Sequence, residues 1–98
     1  MREQKVLLFG GTTEGRELAA WLRENNISAL SHVATEYGEA LLREEALPAE
    51  SGRLNEQEMR ELLESGAFSV VVDATHPFAT EVSGNIREAA KEAGVFYC

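Results

Sequence analysis

Val6-Leu7-Leu8-Phe9-Gly10-Gly11-Thr12-Thr13-Glu14-Gly15-Arg16 is the stretch whose reading decides the fold. Its first four residues form an apolar run of the kind a buried parallel strand requires. The run breaks into glycines and threonines, and from Leu18 an apolar pattern at helical spacing takes over. Strand, glycine-rich turn and helix in that order open a dinucleotide-binding βαβ unit. A phosphate must approach backbone N–H groups closely, which a Cβ would block. The start of a helix adds unpaired N–H donors and the positive end of its dipole. Set against G-x-G-x-x-G, the segment puts Thr12 at the middle glycine position. A hydroxyl there can itself bond a phosphate, but it is bulkier than hydrogen. The bland alternative is a tight strand-to-helix turn that binds nothing.

The 98 residues suit one domain near the lower end of the common size range, and 44% apolar residues can supply a core. The net charge of −8 argues against nonspecific binding to nucleic acid or an anionic membrane. It leaves room for a local basic pocket, with Arg16 and Arg53 as candidates. The carboxylates read as a solvated surface. Cys98 is the single cysteine, so no intrachain disulfide and no C-x-x-C pattern exist, and no Cys or His pair has metal-ligand spacing. No metal site is expected. The apolar run Val6–Phe9 is too short for a signal-peptide core or a bilayer span, so the simplest setting is a reducing cytoplasm.

Met1–Gln4 is polar and expected to be loose. Lys5–Phe9 is the first strand, followed by a helix from Thr13 or Glu14 to Asn25. Leu18, Trp21 and Leu22 share one helical face, and Trp21 reads as a core residue against the sheet. Ile27–Ala34 is the second strand and Tyr37–Glu45 a short helix. Pro48 limits the next strand to a short edge piece at Ala49–Ser51. Asn55 and Glu58 form a capping-box pattern for a helix through Met59, Leu62 and Leu63, with Gly66 as its natural C′ stop. Ser69–Ala74, rich in valine, reads as a central strand buried on both faces. Pro77 fits the first turn of a helix whose apolar stripe is Phe78, Val82, Ile86, Ala89 or Ala90, and Ala93. Gly94 stops it and Val95–Tyr97 begins a fifth strand. The pattern is an α/β, Rossmann-like parallel sheet of about five strands in the order 3-2-1-4-5, with helices on both faces. Its switch point lies between strands one and four, where Gly10–Gly15 and Thr75–Phe78 converge.

At the end of the second strand an acid ordinarily accepts bonds from the adenosine ribose hydroxyls and selects NAD. Glu36 lies further from the glycine loop than the usual spacing of about 20 residues. Thr35 is placed to meet a 2′-phosphate or to cap the next helix, and the two roles can coexist. The spacing leaves NAD and NADP both open. His76 is a weak candidate for general acid–base work or for a hydrogen bond to a ligand, against a loop histidine with no chemical role. His32 reads as structural and Asp73 as a turn-stabilising carboxylate. No G-x-S-x-G and no Walker lysine occur.

Four segments together resemble the amino-terminal half of the precorrin-6A reductase family, which includes the cobalt-precorrin-6A reductases. They are Gly10–Arg16, Val33–Gly38, Gly52-Arg53-Leu54 and Val72-Asp73-Ala74-Thr75-His76-Pro77-Phe78-Ala79. They occur in the family's order, and the last is the most specific. The resemblance implies an NADPH-dependent reduction of one macrocycle double bond of a corrin precursor in cobalamin biosynthesis. It also implies that Gly10, Gly11, Thr12, Thr13 and Gly15 cradle the pyrophosphate, and that Thr35 and Glu36 lie at the ribose and its 2′-phosphate. Gly52 and Arg53 would lie along the cofactor, with Thr75, His76 and Phe78 near the nicotinamide. The tetrapyrrole substrate carries many carboxylates, so a chain this acidic would need cationic help from elsewhere.

Members of that family are typically twice this long or more, with a second α/β domain and the tetrapyrrole between the halves. The expectation is therefore a dinucleotide-binding domain over residues 1–98, without the substrate-side domain, that binds cofactor and lacks full reductase activity alone. An unfinished sheet edge at Val95–Cys98 would favour self-association. Two rival readings stand beside this one. A noncatalytic nucleotide-sensing module has the same fold. A sugar-nucleotide enzyme of the extended dehydrogenase type is weakened by the lack of a Tyr-x-x-x-Lys pair.

Overall fold

The structure, a computed structural model, describes residues 5–98; the expectation for Met1–Gln4 lies outside the described residues. The elements in order are β1 (Lys5–Phe9), α1 (Thr13–Glu24), β2 (Ser28–Val33), α2 (Glu36–Glu44), β3 (Ala49–Ser51), α3 (Glu56–Ser65), β4 (Val70–Asp73), α4 (Thr80–Ala93) and β5 (Phe96–Tyr97). All strand pairs are parallel, and the sheet order is β3-β2-β1-β4-β5, as the sequence pattern predicts.

β1 sits in the middle because its side chains are apolar on both faces. Leu7 and Phe9 join Met59, Leu63, Val71, Ile86 and Ala89 in the core under α3 and α4. Leu8 joins Ala19, Val33, Leu42 and Leu47 under α1 and α2. Leu7 and Leu8 are both fully buried, which is the signature of a strand covered on two sides. Burying each contributes roughly 1.5–3 kcal/mol.

The register decides what meets at the carboxyl edge of the sheet. Phe9 is level with His32 on one side and with Asp73 on the other. The chains leave that edge still bonded: the Gly10 N–H donates to the His32 carbonyl at 3.0 Å, Ala74 N–H to Phe9 at 2.8 Å and Gly52 N–H to Val33 at 2.9 Å. The three loops that follow β1, β3 and β4 are thereby fixed to a common floor.

Several local expectations are corrected. Trp21 is not a core residue: it is 53% exposed, because the buried stripe of α1 is Gly15, Ala19 and Leu22 and Trp21 lies to one side of it. β4 is not buried on both faces along its length. Val71 is fully buried, but Val70 and Val72 are half-buried because α1 covers β4 only in part. α4 begins at Thr80 rather than at Pro77, and Phe78, at 85% exposed, is not in its apolar stripe; Val82 is also exposed, and burial begins at Ile86. Gly66 ends α3 as its C-cap, with a right-handed φ of −82°, so the C′ position and its left-handed conformation fall on Ala67. Glycine is still required at 66, since a Cβ there would lie 2.3 Å from Phe68 Cε2. The capping box is present as expected, with Glu58 N–H donating to Asn55 Oδ1 and Asn55 N–H to Glu58 Oε1. Gly94, at φ +70°, is the left-handed stop of α4.

Candidate functional site

The glycine loop is built around one hydroxyl. Thr12 caps α1, accepting from the Gly15 N–H at 3.1 Å, and donates its own proton to the Ala74 carbonyl at 2.8 Å. This single oxygen staples the loop after β1 to the end of β4. Its proton is committed, so what Thr12 offers a ligand is its backbone and not the hydroxyl donor. Gly15 is buried where α1 passes the loop; a Cβ there would lie 3.3 Å from both Gly10 Cα and Thr12 Oγ1. Gly11 has φ +117° and open space where a Cβ would stand. The result is a shallow backbone cradle at a helix start, beside the Thr13 and Glu14 N–H groups, which have no partner among the described residues.

Thr35 repeats the capping arrangement on α2, accepting from the Gly38 N–H at 3.1 Å. Its hydroxyl proton has no partner among the described residues. α2 is held to β3 by Glu39, which accepts from Ser51 Oγ and Arg43 Nε, while Arg43 also reaches the Ala49 carbonyl at 2.7 Å. Hydrogen bonds from Ser51 and then Arg43 hold the Glu39 carboxyl below the usual range.

Two adjoining hollows share Gly10, Gly11, Val33 and Ala34. One, of about 300 Å³, is lined by Gly10–Thr13, Gly15, Arg16, Thr35, Tyr37 and Gly38. The other, of about 690 Å³, is lined by His32, Gly52, Arg53, Thr75, His76 and Asn85, among others. Together they form one crevice along the carboxyl ends of the strands, crossing the β1–β4 switch point. Arg16 and Arg53 face it without an ion-pair partner among the described residues.

The loop after β4 is organised by Asp73. Its Oδ1 accepts from the Thr75 N–H at 3.0 Å and Thr75 Oγ1 at 2.6 Å, and its Oδ2 accepts from Tyr97 OH at 3.0 Å. Partial burial alone would raise this carboxyl, but bonds from Ser83, Thr75 and Tyr97 outweigh it and hold it below the usual range. Tyr97 is pushed up, first by burial and then by the same bond to Asp73. Asp73 is thus the turn-stabilising carboxylate its position suggests. His76 lies exposed on the crevice rim, where its Nδ1 accepts from the Phe78 N–H at 3.2 Å and its ring lies 5.2 Å from that of Phe78.

Ten of the twelve residues singled out from sequence line the crevice: Gly10, Gly11, Thr12, Thr13, Gly15, Thr35, Gly52, Arg53, Thr75 and His76. Glu36, in the first turn of α2, and Phe78 fall outside the lining. Tyr37, Ser31, His32 and Asn85 line it without having been singled out for it. Ser31 and His32 were readable as lying in the carboxyl-terminal half of β2, whereas Asn85 carried no signal beyond its helical spacing from Val82. Among the described residues no group of three or more His, Cys, Asp or Glu is placed to hold a metal ion, and no helix is long and apolar enough to cross a membrane.

A parallel sheet in this order, with a glycine loop and a capped helix at its switch point, defines a Rossmann-like domain. Comparison with known proteins narrows the class. The family model of precorrin-6x reductase CbiJ/CobK matches residues 5–98, and the chain belongs to that family. The chain is 37% identical over 95 residues to the cobalt-precorrin-6A reductase of Salmonella typhimurium, covering 97% of this chain and 36% of that protein. It is 34% identical over 93 residues to the cobalt-precorrin-6A reductase of Methanocaldococcus jannaschii, covering 94% and 37%. Among solved structures it is similar to CobK precorrin-6A reductase, with a TM-score of 0.82 and 29% identity over 97% of this chain and 38% of that one. The chain therefore spans a little over a third of the length of the relatives it matches.

Proposed function

We propose that this chain is the NADPH-binding domain of a precorrin-6A or cobalt-precorrin-6A reductase, acting in cobalamin biosynthesis. The observation that carries the reading is the crevice, where the glycine loop and the Thr75–His76 loop share one opening across the switch point. The residues present fit the cofactor. Gly11 leaves open the space a Cβ would fill, Gly15 lets α1 start close against the loop, and the Thr13 and Glu14 N–H groups at the start of α1 remain for a diphosphate, those of Gly15 and Arg16 being taken by Thr12. When bound, the nicotinamide supplies the hydride that reduces a macrocycle double bond.

What this chain's residues do is bind and orient. The Gly10–Gly15 loop would hold the diphosphate through the backbone donors of Gly11 to Glu14, since the Gly10 and Gly15 N–H groups are spent on His32 and Thr12. Thr35, with its unspent hydroxyl proton, and Arg16 would meet a 2′-phosphate in the smaller hollow, which favours NADPH over NADH. Glu36 stands outside that hollow, which weakens its role as a ribose acceptor and leaves it as first-turn charge on α2. Arg53 would lie along the cofactor, and Thr75 and His76 at the nicotinamide end, with Phe78 packed on the His76 ring. The precorrin's carboxylates would find few cations here, so the remaining length found in the relatives would supply most of its binding and complete the reductase.

Calorimetric titration of the chain with NADPH and then NADH tests the reading. The expected result is one site with tighter binding of NADPH. Tighter binding of NADH would shift the ribose contact to Glu36, and no binding of either by a folded chain would remove the cofactor role from the crevice.

A further inference from the structure

His32 is 7% exposed and joins two of the crevice loops at once. Its backbone carbonyl accepts from the Gly10 N–H at 3.0 Å, at the start of the glycine loop. Its ring Nε2 lies 2.9 Å from the Gly52 carbonyl oxygen. A carbonyl only accepts, so Nε2 carries the proton and Nδ1 is the bare nitrogen. That Nδ1 is buried and has no partner among the described residues, a cost that a leucine or phenylalanine here would avoid. The ring packs against Phe9, with centroids 5.7 Å apart, so it is held in one orientation.

The residue that His32 grips is the unusual one. Gly52 has φ +138°, a conformation L-residues rarely adopt, and it is fixed from both sides: its N–H donates to Val33 and its C=O accepts from His32. Arg53 follows directly, exposed at the rim of the larger hollow and without a partner among the described residues.

We infer that His32 is a positioning residue: by holding the Gly52 carbonyl it fixes the turn that presents the Arg53 guanidinium to an anionic group of the bound dinucleotide. This rests on the proposed cofactor role of the crevice. It explains why a histidine with one idle nitrogen occupies a buried site. The ring spans from the sheet to the loop and carries a donor at its far end, which no aliphatic side chain of that size can do.

The test is a double-mutant cycle read by NADPH titration of the chain. His32→Gln keeps a donor near the Nε2 position, His32→Leu keeps bulk and loses the donor, and Arg53→Met removes the charge. R53M is expected to weaken binding about tenfold, as for loss of a charge-assisted bond. H32L is expected to weaken it about fivefold, with H32Q within about twofold of wild type. In the R53M background H32L should add less than about twofold, because the two residues act through one contact. If H32Q is as weak as H32L, or if the H32L and R53M effects multiply, the inference is wrong. His32→Asn, whose amide is too short to reach Gly52, replaces H32L should the leucine variant not fold. If the wild-type chain binds neither NADPH nor NADH, the cofactor reading fails by itself. His32 is then judged on amide exchange: a Gly52 N–H exchanging about tenfold faster in H32L but not in H32Q supports the positioning role, and unchanged exchange overturns it.

Discussion

Replacing Thr12 with valine removes one hydroxyl while keeping the shape of the side chain, and the structure sets its cost. The oxygen accepts from the Gly15 N–H and donates to the Ala74 carbonyl. Loss of an N-cap acceptor costs about 1 kcal/mol. The stranded, partly buried Ala74 carbonyl adds about 1 kcal/mol more. The sum, roughly 2 kcal/mol, lowers the melting temperature of a domain this size by on the order of 10 °C. Thr35→Val is the internal standard, because Thr35 makes the same cap bond to Gly38 without a bond to another strand; it should lose about half as much. Thr12→Ser keeps both bonds and should stay within about 0.5 kcal/mol of wild type. Urea and thermal melts followed by circular dichroism measure all three. If T12V and T35V lose equally, the bond to Ala74 contributes nothing and the loop is not stapled to β4.

Asp73→Asn should destabilise the fold by about 1 kcal/mol at neutral pH, after discounting for partial exposure. The native carboxyl is depressed, so its contribution is full above the ordinary Asp value of about 3.9 and is lost as pH falls through the lower folded value; the wild-type and D73N stability curves should converge on acidification below pH 4. Gly52→Ala forces an L-residue to φ +138° and should cost roughly 1–3 kcal/mol in urea unfolding, although no atom blocks the new methyl. Trp21→Gln, at a flank position exposed by half, should shift stability by no more than about 0.5 kcal/mol; a loss of several kcal/mol would place the indole in the core after all.

Where the sequence was legible, one residue type had one available role. The valines of β4, the Asn55–Glu58 box and the glycines after β1 each answer to a local rule, and strand order follows from right-handed crossovers. Trp21 was misread because Leu18, Trp21 and Leu22 share a helical face, whereas the stripe that is buried runs through Gly15, Ala19 and Leu22, small residues that hydrophobic periodicity underweights. Phe78 was misread because Pro77 suits a helix start, yet here the chain first makes a turn: Ala79 N–H bonds to the His76 carbonyl, Phe78 N–H goes to the His76 ring, and helix follows at Thr80. Thr12 stood in a glycine's place as a possible phosphate ligand, but its proton is taken by a carbonyl far along the chain that no spacing rule reveals. The His32–Gly52 bond is of the same kind: a contact between strand neighbours in space, invisible until the sheet is assembled. The crevice lining was mostly legible because the switch-point rule places loops rather than side chains. Glu36, on the outer side of its helix turn, shows the limit of that rule.

The proposed function requires the crevice at the β1–β4 switch point to take a nicotinamide dinucleotide. The most direct measurement is an amide chemical-shift map of the isotopically labelled chain titrated with NADPH. Saturable shifts are expected at Gly10–Gly15, Thr35, Gly52-Arg53 and Thr75-His76, with the outer faces of α3 and α4 unmoved. Shifts centred on those outer faces, or none at saturating cofactor in a folded chain, would contradict it.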